Sequence, residues 1–192
     1  AKADQEKAAS NQQDTHTQNT GKPLTTVGAR APATSDTSRY HIYHDGKIKR
    51  ENKAATGFAE FIYYEANGQT HNLGKSKYII TKRWVSKGVY GQGNTFLIDI
   101  RHFASYRRGD VGYKMLMNSG QQRYYLGGIE MASFLGALCK AGNDDLSFNG
   151  FSTVNGSPGD SKSHINGEAG DIRYLRKDRK TEAVILQDEN YD

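Results

Sequence analysis

Alternating apolar and polar positions run through the chain from Tyr40 onward and predict a β-rich fold. The pairs Asp45-Gly46 and Asn67-Gly68 are two-residue turn signals and predict two hairpins. Short strands separated by such turns are typical of antiparallel sheet. The predicted strands are residues 40–44, 47–50, 58–64 with a return segment ending at 80, 95–103, 112–117, 123–126 and 146–151.

Residues 129–140 have helical rather than strand periodicity, and Lys140 and Gly142 provide ordinary signals for a helix end. The sequence therefore predicts an α+β fold, mainly antiparallel sheet with one clear helix packed on it. Cys139 is the only cysteine and lies inside the apolar helical run, so it is interpreted as a buried, inert thiol. A single cysteine also excludes an internal disulfide.

Residues 1–39 contain no Phe, Tyr or Trp, so they are predicted to be a disordered tail or linker. Residues 40–126 form a β-rich region of unknown role, and residues 127–192 contain the helix, a short strand and a glycine-rich loop. Together 40–192 are expected to be one compact domain. The sequence has no apolar run of the roughly 18 residues that a membrane span needs and no secretory signal, so neither is predicted.

The net charge of the chain indicates what kind of partner it binds. The chain has 26 Lys and Arg against 21 Asp and Glu, a formal charge of +5 and a pI near 9.2, which favours an anionic partner. Basic residues and glycines are frequent in 72–93, around Arg83 and the single Trp84. This stretch is either a solvated loop anchored by the tryptophan or a groove wall for an anionic polymer, with Arg83 and Trp84 as substrate-binding residues.

Residues 159–175 carry the chemistry on which the functional hypothesis depends. His164 and Asp171 are separated by six residues, with Gly167 and Gly170 between them and an apolar segment after them. Glycines allow such a loop to turn back on itself, so an imidazole nitrogen and a carboxylate oxygen can converge. Zinc accepts both donors, and a catalytic zinc keeps one coordination position open for water. His164 and Asp171 are therefore predicted to be metal ligands of a Zn²⁺ site.

The order of helix, strand, glycine loop, histidine and aspartate resembles the LAS-type zinc peptidases. These are D-Ala-D-Ala carboxypeptidases and dipeptidases, murein endopeptidases and related phage endolysins. Their motif runs Ser-x-His-x-x-Gly-x-Ala-x-Asp, and this chain has His164, Gly167, Ala169 and Asp171 at the matching offsets. The resemblance covers residues 127–176. It implies a LAS or hedgehog-like peptidase core within residues 127–192.

The chain departs from the family pattern at two positions near the motif. Lys162 occupies the position of the motif serine, although Ser163 directly precedes the histidine. Ser152 stands where the family has an arginine that helps to hold the substrate. The resemblance therefore implies Ser152 and Ser163 as substrate contacts, and Lys162 as a substrate-binding residue.

The largest departure from the family pattern concerns the third zinc ligand. The family supplies it from a later His-x-His element, and no histidine follows Asp171 in this chain. We expect that the chain stops short of this ligand. The alternatives are that His102 or another upstream histidine replaces it, or that the site is vestigial. The catalytic base is not identified by the sequence.

The resemblance implies a peptidase that cleaves stem peptides of bacterial peptidoglycan, as a secreted or injected cell-wall-degrading effector or toxin. It would act in the periplasm or on the wall, with the N-terminal tail read by a secretion or injection apparatus. The alternative is a non-catalytic wall- or glycan-binding module on a degenerate peptidase scaffold. Nucleic acid ranks below both, because the basic residues are spread among turns rather than gathered in a binding motif.

Overall fold

The computed structural model describes residues 35–117, 122–180 and 182–192. The chain from Thr34 to Asp192 forms one compact unit. Its strands are β1 (Thr37–Tyr43), β2 (Ile48–Glu51), β3 (Phe58–Tyr64), β4 (Thr70–Lys77), β5 (Ile79–Ser86), β6 (Val89–Asp99), β7 (Ser105–Arg108), β8 (Val111–Leu116), β9 (Tyr125–Gly127), β10 (Leu146–Gly150) and β11 (Asp171–Ile172).

The predicted tail of residues 1–39 is too long at its C-terminal end. Most of that segment, residues 1–34, lies outside the described residues. Strand β1 already begins at Thr37, where Thr37 and Ser38 are buried and pair with Phe58 and Ala59 of β3. Thr37 and Ser38 are small polar residues like those of the preceding segment, so composition alone assigns them to the tail. Their pairing with strand β3 makes them part of the sheet instead.

The first sheet has the order β2-β1-β3-β4. Both predicted hairpins are present, since β1 pairs with β2 and β3 pairs with β4 in antiparallel fashion. Strands β1 and β3 pair in parallel. Tyr40 stacks on Phe61 with ring centroids 5.0 Å apart, and both rings are almost fully buried.

Two further sheets complete the described fold, with orders β11-β10-β8-β7 and β5-β6-β9. Strands β8 and β10 are again parallel, and the other pairings in these two sheets are antiparallel. The antiparallel bridge between Tyr125 and Ser152 connects β9 to the segment just after β10. The prediction of an α+β fold with mainly antiparallel sheet and one helix is confirmed, with two parallel pairings among the described strands.

Helix α1 (Gly128–Ala141) confirms the predicted helix. Its buried side chains include Leu135, Leu138 and Cys139, and it packs against β1, β3 and β8. The helix ends at Gly142, whose N–H donates to the Leu138 carbonyl at 2.9 Å. Burial raises the pKa of the Cys139 thiol to about 12, in agreement with an inert thiol. Among the described residues, no helix is both long and apolar enough to cross a membrane.

Two segments differ from their predicted structure. Residues 72–93 are not a solvated loop but parts of β4, β5 and β6, with β5 and β6 forming a long antiparallel hairpin. The predicted strand 95–103 ends at Asp99, and Ile100–Phe103 is a short 3-10 helix. The strand ends there because the Asp99 carboxylate accepts a hydrogen bond from the Arg101 N–H at 3.0 Å and caps the turn.

Candidate metal centre

The loop between β10 and β11, residues 151–170, is called the motif loop below and is held against β5 by Asn166. This side chain is 2% exposed and bonds both backbone groups of Trp84. Its Oδ1 accepts from the Trp84 N–H at 2.9 Å, and its Nδ2 donates to the Trp84 carbonyl at 3.0 Å. Strand β5 is at the edge of its sheet, so the amide of Asn166 satisfies backbone groups that a further strand would otherwise bond.

Gly167 fixes the same loop against β9. Its carbonyl accepts from the Gly127 N–H at 3.0 Å, and its φ is +73°. A Cβ at this position would lie 2.4 Å from the Gly127 nitrogen, so only glycine fits. Close packing against β9 therefore requires the motif glycine at this position.

These anchors bring His164 and Asp171 together. The imidazole Nε2 of His164 lies 3.2 Å from Oδ1 of Asp171. The His164 side chain is 7% exposed and the Asp171 side chain is 57% exposed. Asp171 opens β11, opposite Gly150 of β10. A buried imidazole nitrogen thus faces a carboxylate that is exposed to solvent.

Arg123 approaches the other side of the imidazole. It is buried, its Nη1 lies within hydrogen-bonding distance of His164 Nδ1 at 3.3 Å, and its Nη2 donates to the Asn149 carbonyl at 3.2 Å. Gly150, with φ +141°, makes room for it, because a Cβ there would lie 2.8 Å from the Arg123 Cβ. Three charged or polar groups therefore stand in the order arginine, histidine and aspartate.

Sequence reasoning missed Arg123. It comes 41 residues before His164 and belongs to no motif of the loop. The sequence signal is weak: an arginine at the start of an otherwise apolar and aromatic predicted strand. Because only the fold brings that strand end to the loop, spacing alone does not assign it to the site.

The predicted substrate contacts occupy different environments. Ser152 is fully buried, and its hydroxyl donates to the Tyr125 carbonyl at 2.9 Å, so in this conformation it supports β9 rather than facing a substrate. Ser163 and Lys162 are exposed beside His164.

The two residues predicted as a groove wall do lie next to the loop. Arg83 Nη2 is 2.8 Å from the carboxylate of Glu168. Trp84 is half-buried, and its backbone holds the side chain of Asn166. Both residues belong to β5, so the β5–β6 hairpin and the motif loop form adjoining surfaces.

His102 does not join His164 and Asp171. It is exposed in the 3-10 helix, and its Nδ1 lies 2.8 Å from the Ser76 hydroxyl. Within residues 35–117, 122–180 and 182–192, no group of three or more His, Cys, Asp or Glu side chains is arranged to hold a metal ion. The donor chemistry of His164 and Asp171 fits zinc, whereas the number of donors in the described part of the chain falls short of the usual three.

An apolar cavity of about 320 Å³ lies beside β11. Phe134, Phe151 and Ile172 form much of its wall, and Gly170 borders it. A Cβ on Gly170 would lie 1.9 Å from the Phe151 ring, so glycine is required for this close approach. The cavity is large enough for an apolar side chain, and its lining residues Gly170 and Ile172 flank Asp171 in the sequence.

Comparison of the chain with protein-family models, with curated proteins and with solved structures gave no match.

Proposed function

We propose that the protein is a zinc-dependent peptidase that cleaves stem peptides of bacterial peptidoglycan. The observation that carries the proposal is the 3.2 Å approach of His164 Nε2 to Asp171 Oδ1 on a loop that buried contacts hold in place. The resemblance of the motif to the LAS-type peptidases supplies the reaction class, and the basic charge of the chain suits a wall polymer that carries carboxylates.

In this proposal His164 and Asp171 supply one nitrogen and one oxygen ligand. Zinc bound there would polarise the scissile carbonyl and lower the pKa of its water. Arg123, whose Nη1 lies 3.3 Å from His164 Nδ1, is a buried positive charge next to the proposed histidine ligand. The apolar cavity beside β11 receives a small aliphatic side chain of the substrate.

Digestion of purified peptidoglycan by the zinc-loaded protein tests the proposal. We expect release of new amino groups, and their loss in His164→Ala and Asp171→Ala. His44→Ala is the matched control, because His44 is an exposed histidine at the β1–β2 turn and should leave cleavage unchanged. The peptidase proposal is refuted if the zinc-loaded wild type does not cleave peptidoglycan, or if His164→Ala cleaves it as well as the wild type does.

One observation favours a second candidate, a non-catalytic wall-binding module on a degenerate peptidase scaffold. The described residues hold no three-ligand group. A two-ligand site binds zinc weakly, because water must complete the coordination. This candidate predicts co-sedimentation with peptidoglycan without release of amines, and no zinc retained after dialysis.

Delivery to the wall belongs to the proposal too. The segment before β1, residues 1–36, would serve as the part that a secretion or injection apparatus reads. Fusing them to a reporter protein and measuring its export tests this role. A reporter that stays inside the producing cell, while the whole chain is exported, would exclude the segment as the signal.

A further inference from the structure

The free end of the β5–β6 hairpin exposes cationic and apolar side chains together. Val85, Val89 and Tyr90 are 52%, 51% and 46% exposed. Lys82 and Lys87 are exposed on the same two-stranded ribbon. We call these five residues the hairpin surface.

The charged residues of the hairpin and the sequence next to it are all basic. Residues 66–98 contain five Lys and Arg residues and no Asp or Glu. The nearby carboxylate of Glu168 already lies 2.8 Å from Arg83, so it does not offset the two lysines. The exposed lysines of the ribbon therefore favour a polyanion as its partner.

The hairpin surface is coupled to the motif loop through Trp84. Asn166 bonds the backbone of Trp84, and it lies two residues after His164 on the same loop. Trp84 pairs with Tyr90 across the hairpin. A polymer held along the hairpin would therefore run beside the loop that carries His164.

We infer that the hairpin surface is a docking site for a carboxylate-rich polymer, and that it holds the wall polymer of the proposed function beside the motif loop. The inference rests on that function for the identity of the polymer. An eight-residue strand is about 26 Å long, so the hairpin spans several charged groups of an extended chain. Lysines supply charge, and the exposed ring of Tyr90 supplies a contact for sugar rings or peptide methyl groups.

A charge-reversal experiment tests the inference. The double variant Lys82→Glu/Lys87→Glu changes only exposed side chains, and Lys53→Glu/Lys114→Glu is the matched control with the same charge change at exposed lysines elsewhere. Co-sedimentation with purified peptidoglycan is measured at low and high salt. We expect about tenfold weaker binding at low salt for the hairpin variant, the size that a few exposed charge contacts give. The control should bind like the wild type.

The outcomes separate this inference from the proposed function. Cleavage of a short soluble stem peptide should be unchanged in the hairpin variant, because Lys82 and Lys87 do not belong to the His164 and Asp171 pair at which the bond is cleaved. Equal polymer binding by the hairpin variant, the control and the wild type overturns the docking site even if the wild type cleaves. A wild type that binds polymer through the hairpin but cleaves nothing refutes only the peptidase. Tighter binding to phosphatidylglycerol vesicles than to peptidoglycan overturns the inference in favour of a membrane surface.

Discussion

Replacement of Asn166 by alanine is the sharpest test of how the motif loop is held. The variant removes both hydrogen bonds to Trp84 and places alanine at φ +55°. Each lost bond costs about 1 kcal/mol, because water reaches the half-buried Trp84 only in part. The left-handed backbone adds about 1 kcal/mol for a residue other than Asn or Gly. We therefore expect Asn166→Ala to lose about 3 kcal/mol of unfolding free energy.

Asn166→Gly separates the two contributions, since glycine tolerates the backbone angle and lacks only the hydrogen bonds. We expect it to lose about 2 kcal/mol. Asn94→Ala changes an exposed asparagine of β6 and should stay within about 0.5 kcal/mol of the wild type. The loss of stability should therefore decrease in the order alanine, glycine, control.

Urea denaturation followed by tryptophan fluorescence is the assay, because Trp84 is the single tryptophan and lies at the contact under test. The emission of the folded Asn166→Ala protein should also shift to the red as water reaches the indole. Thermal unfolding should occur about 6–12 °C lower for a loss of this size. If both Asn166 variants unfold within about 0.5 kcal/mol of the wild type and keep its emission, Asn166 does not hold the loop.

Three further predictions concern other parts of the structure. Gly167→Ala should destabilise the protein by about 2 kcal/mol or more, because the Cβ would lie 2.4 Å from the Gly127 nitrogen at φ +73°; calorimetry showing an unchanged melting temperature would contradict this. Cys139 should resist iodoacetamide at pH 8 in the folded protein and react on denaturation, since its thiol pKa is raised to about 12. Its burial stabilises the fold below the ordinary thiol pKa of about 8.5, and this contribution is lost as pH rises towards 12; fast labelling of the folded protein would refute the buried placement. Burial raises the pKa of Asp99, but hydrogen bonds from Arg101 lower it by more, so the pKa lies below its ordinary value. The stability that Asp99 contributes is present above about pH 4 and is lost as pH falls, so Asp99→Asn should weaken the pH dependence of unfolding in acid; an unchanged acid limb would count against the Arg101 contact.

Local patterns predict the parts of the fold that local interactions determine. Helix α1 follows from the apolar spacing in 129–140, and the turn of the first hairpin follows from Asp45-Gly46. The parallel pairing of β1 with β3 is not predictable in this way, because residues between the two strands separate the partners and no turn signal specifies parallel register. The basic, glycine-rich stretch 72–93 has the composition of a loop, whereas its backbone pairs in β4, β5 and β6.

The same limit applies to the candidate site: local spacing predicts one of its contacts, and the tertiary structure determines the others. His164 and Asp171 lie on one loop, so their spacing and the glycines between them are enough to predict that they meet. Arg123 reaches them from a strand end that is distant in sequence, so only the tertiary structure brings it to the loop. Asn166 carries no signal either, since an asparagine before a glycine is usually a turn residue, and its contacts with Trp84 are 82 residues away.

Arg123 constrains how the two predicted ligands can act. A guanidinium only donates hydrogen bonds, so in its contact with His164 the Nδ1 atom must accept, and the imidazole proton then lies on Nε2 facing the Asp171 carboxylate. A metal bound through Nε2 requires the opposite tautomer, in which Nδ1 carries the proton and can no longer accept from Arg123. Metal binding and the Arg123–Nδ1 contact therefore exclude each other at this imidazole. Gly150 and Gly159 pack closely on the arginine, since a Cβ at these positions would lie 2.8 Å and 3.1 Å from its side chain, and its Nη2 donates to the Asn149 carbonyl at 3.2 Å. A zinc peptidase at this site would therefore require Arg123 to give up its contact with Nδ1, whereas a module that only binds the wall would keep Arg123 on the histidine.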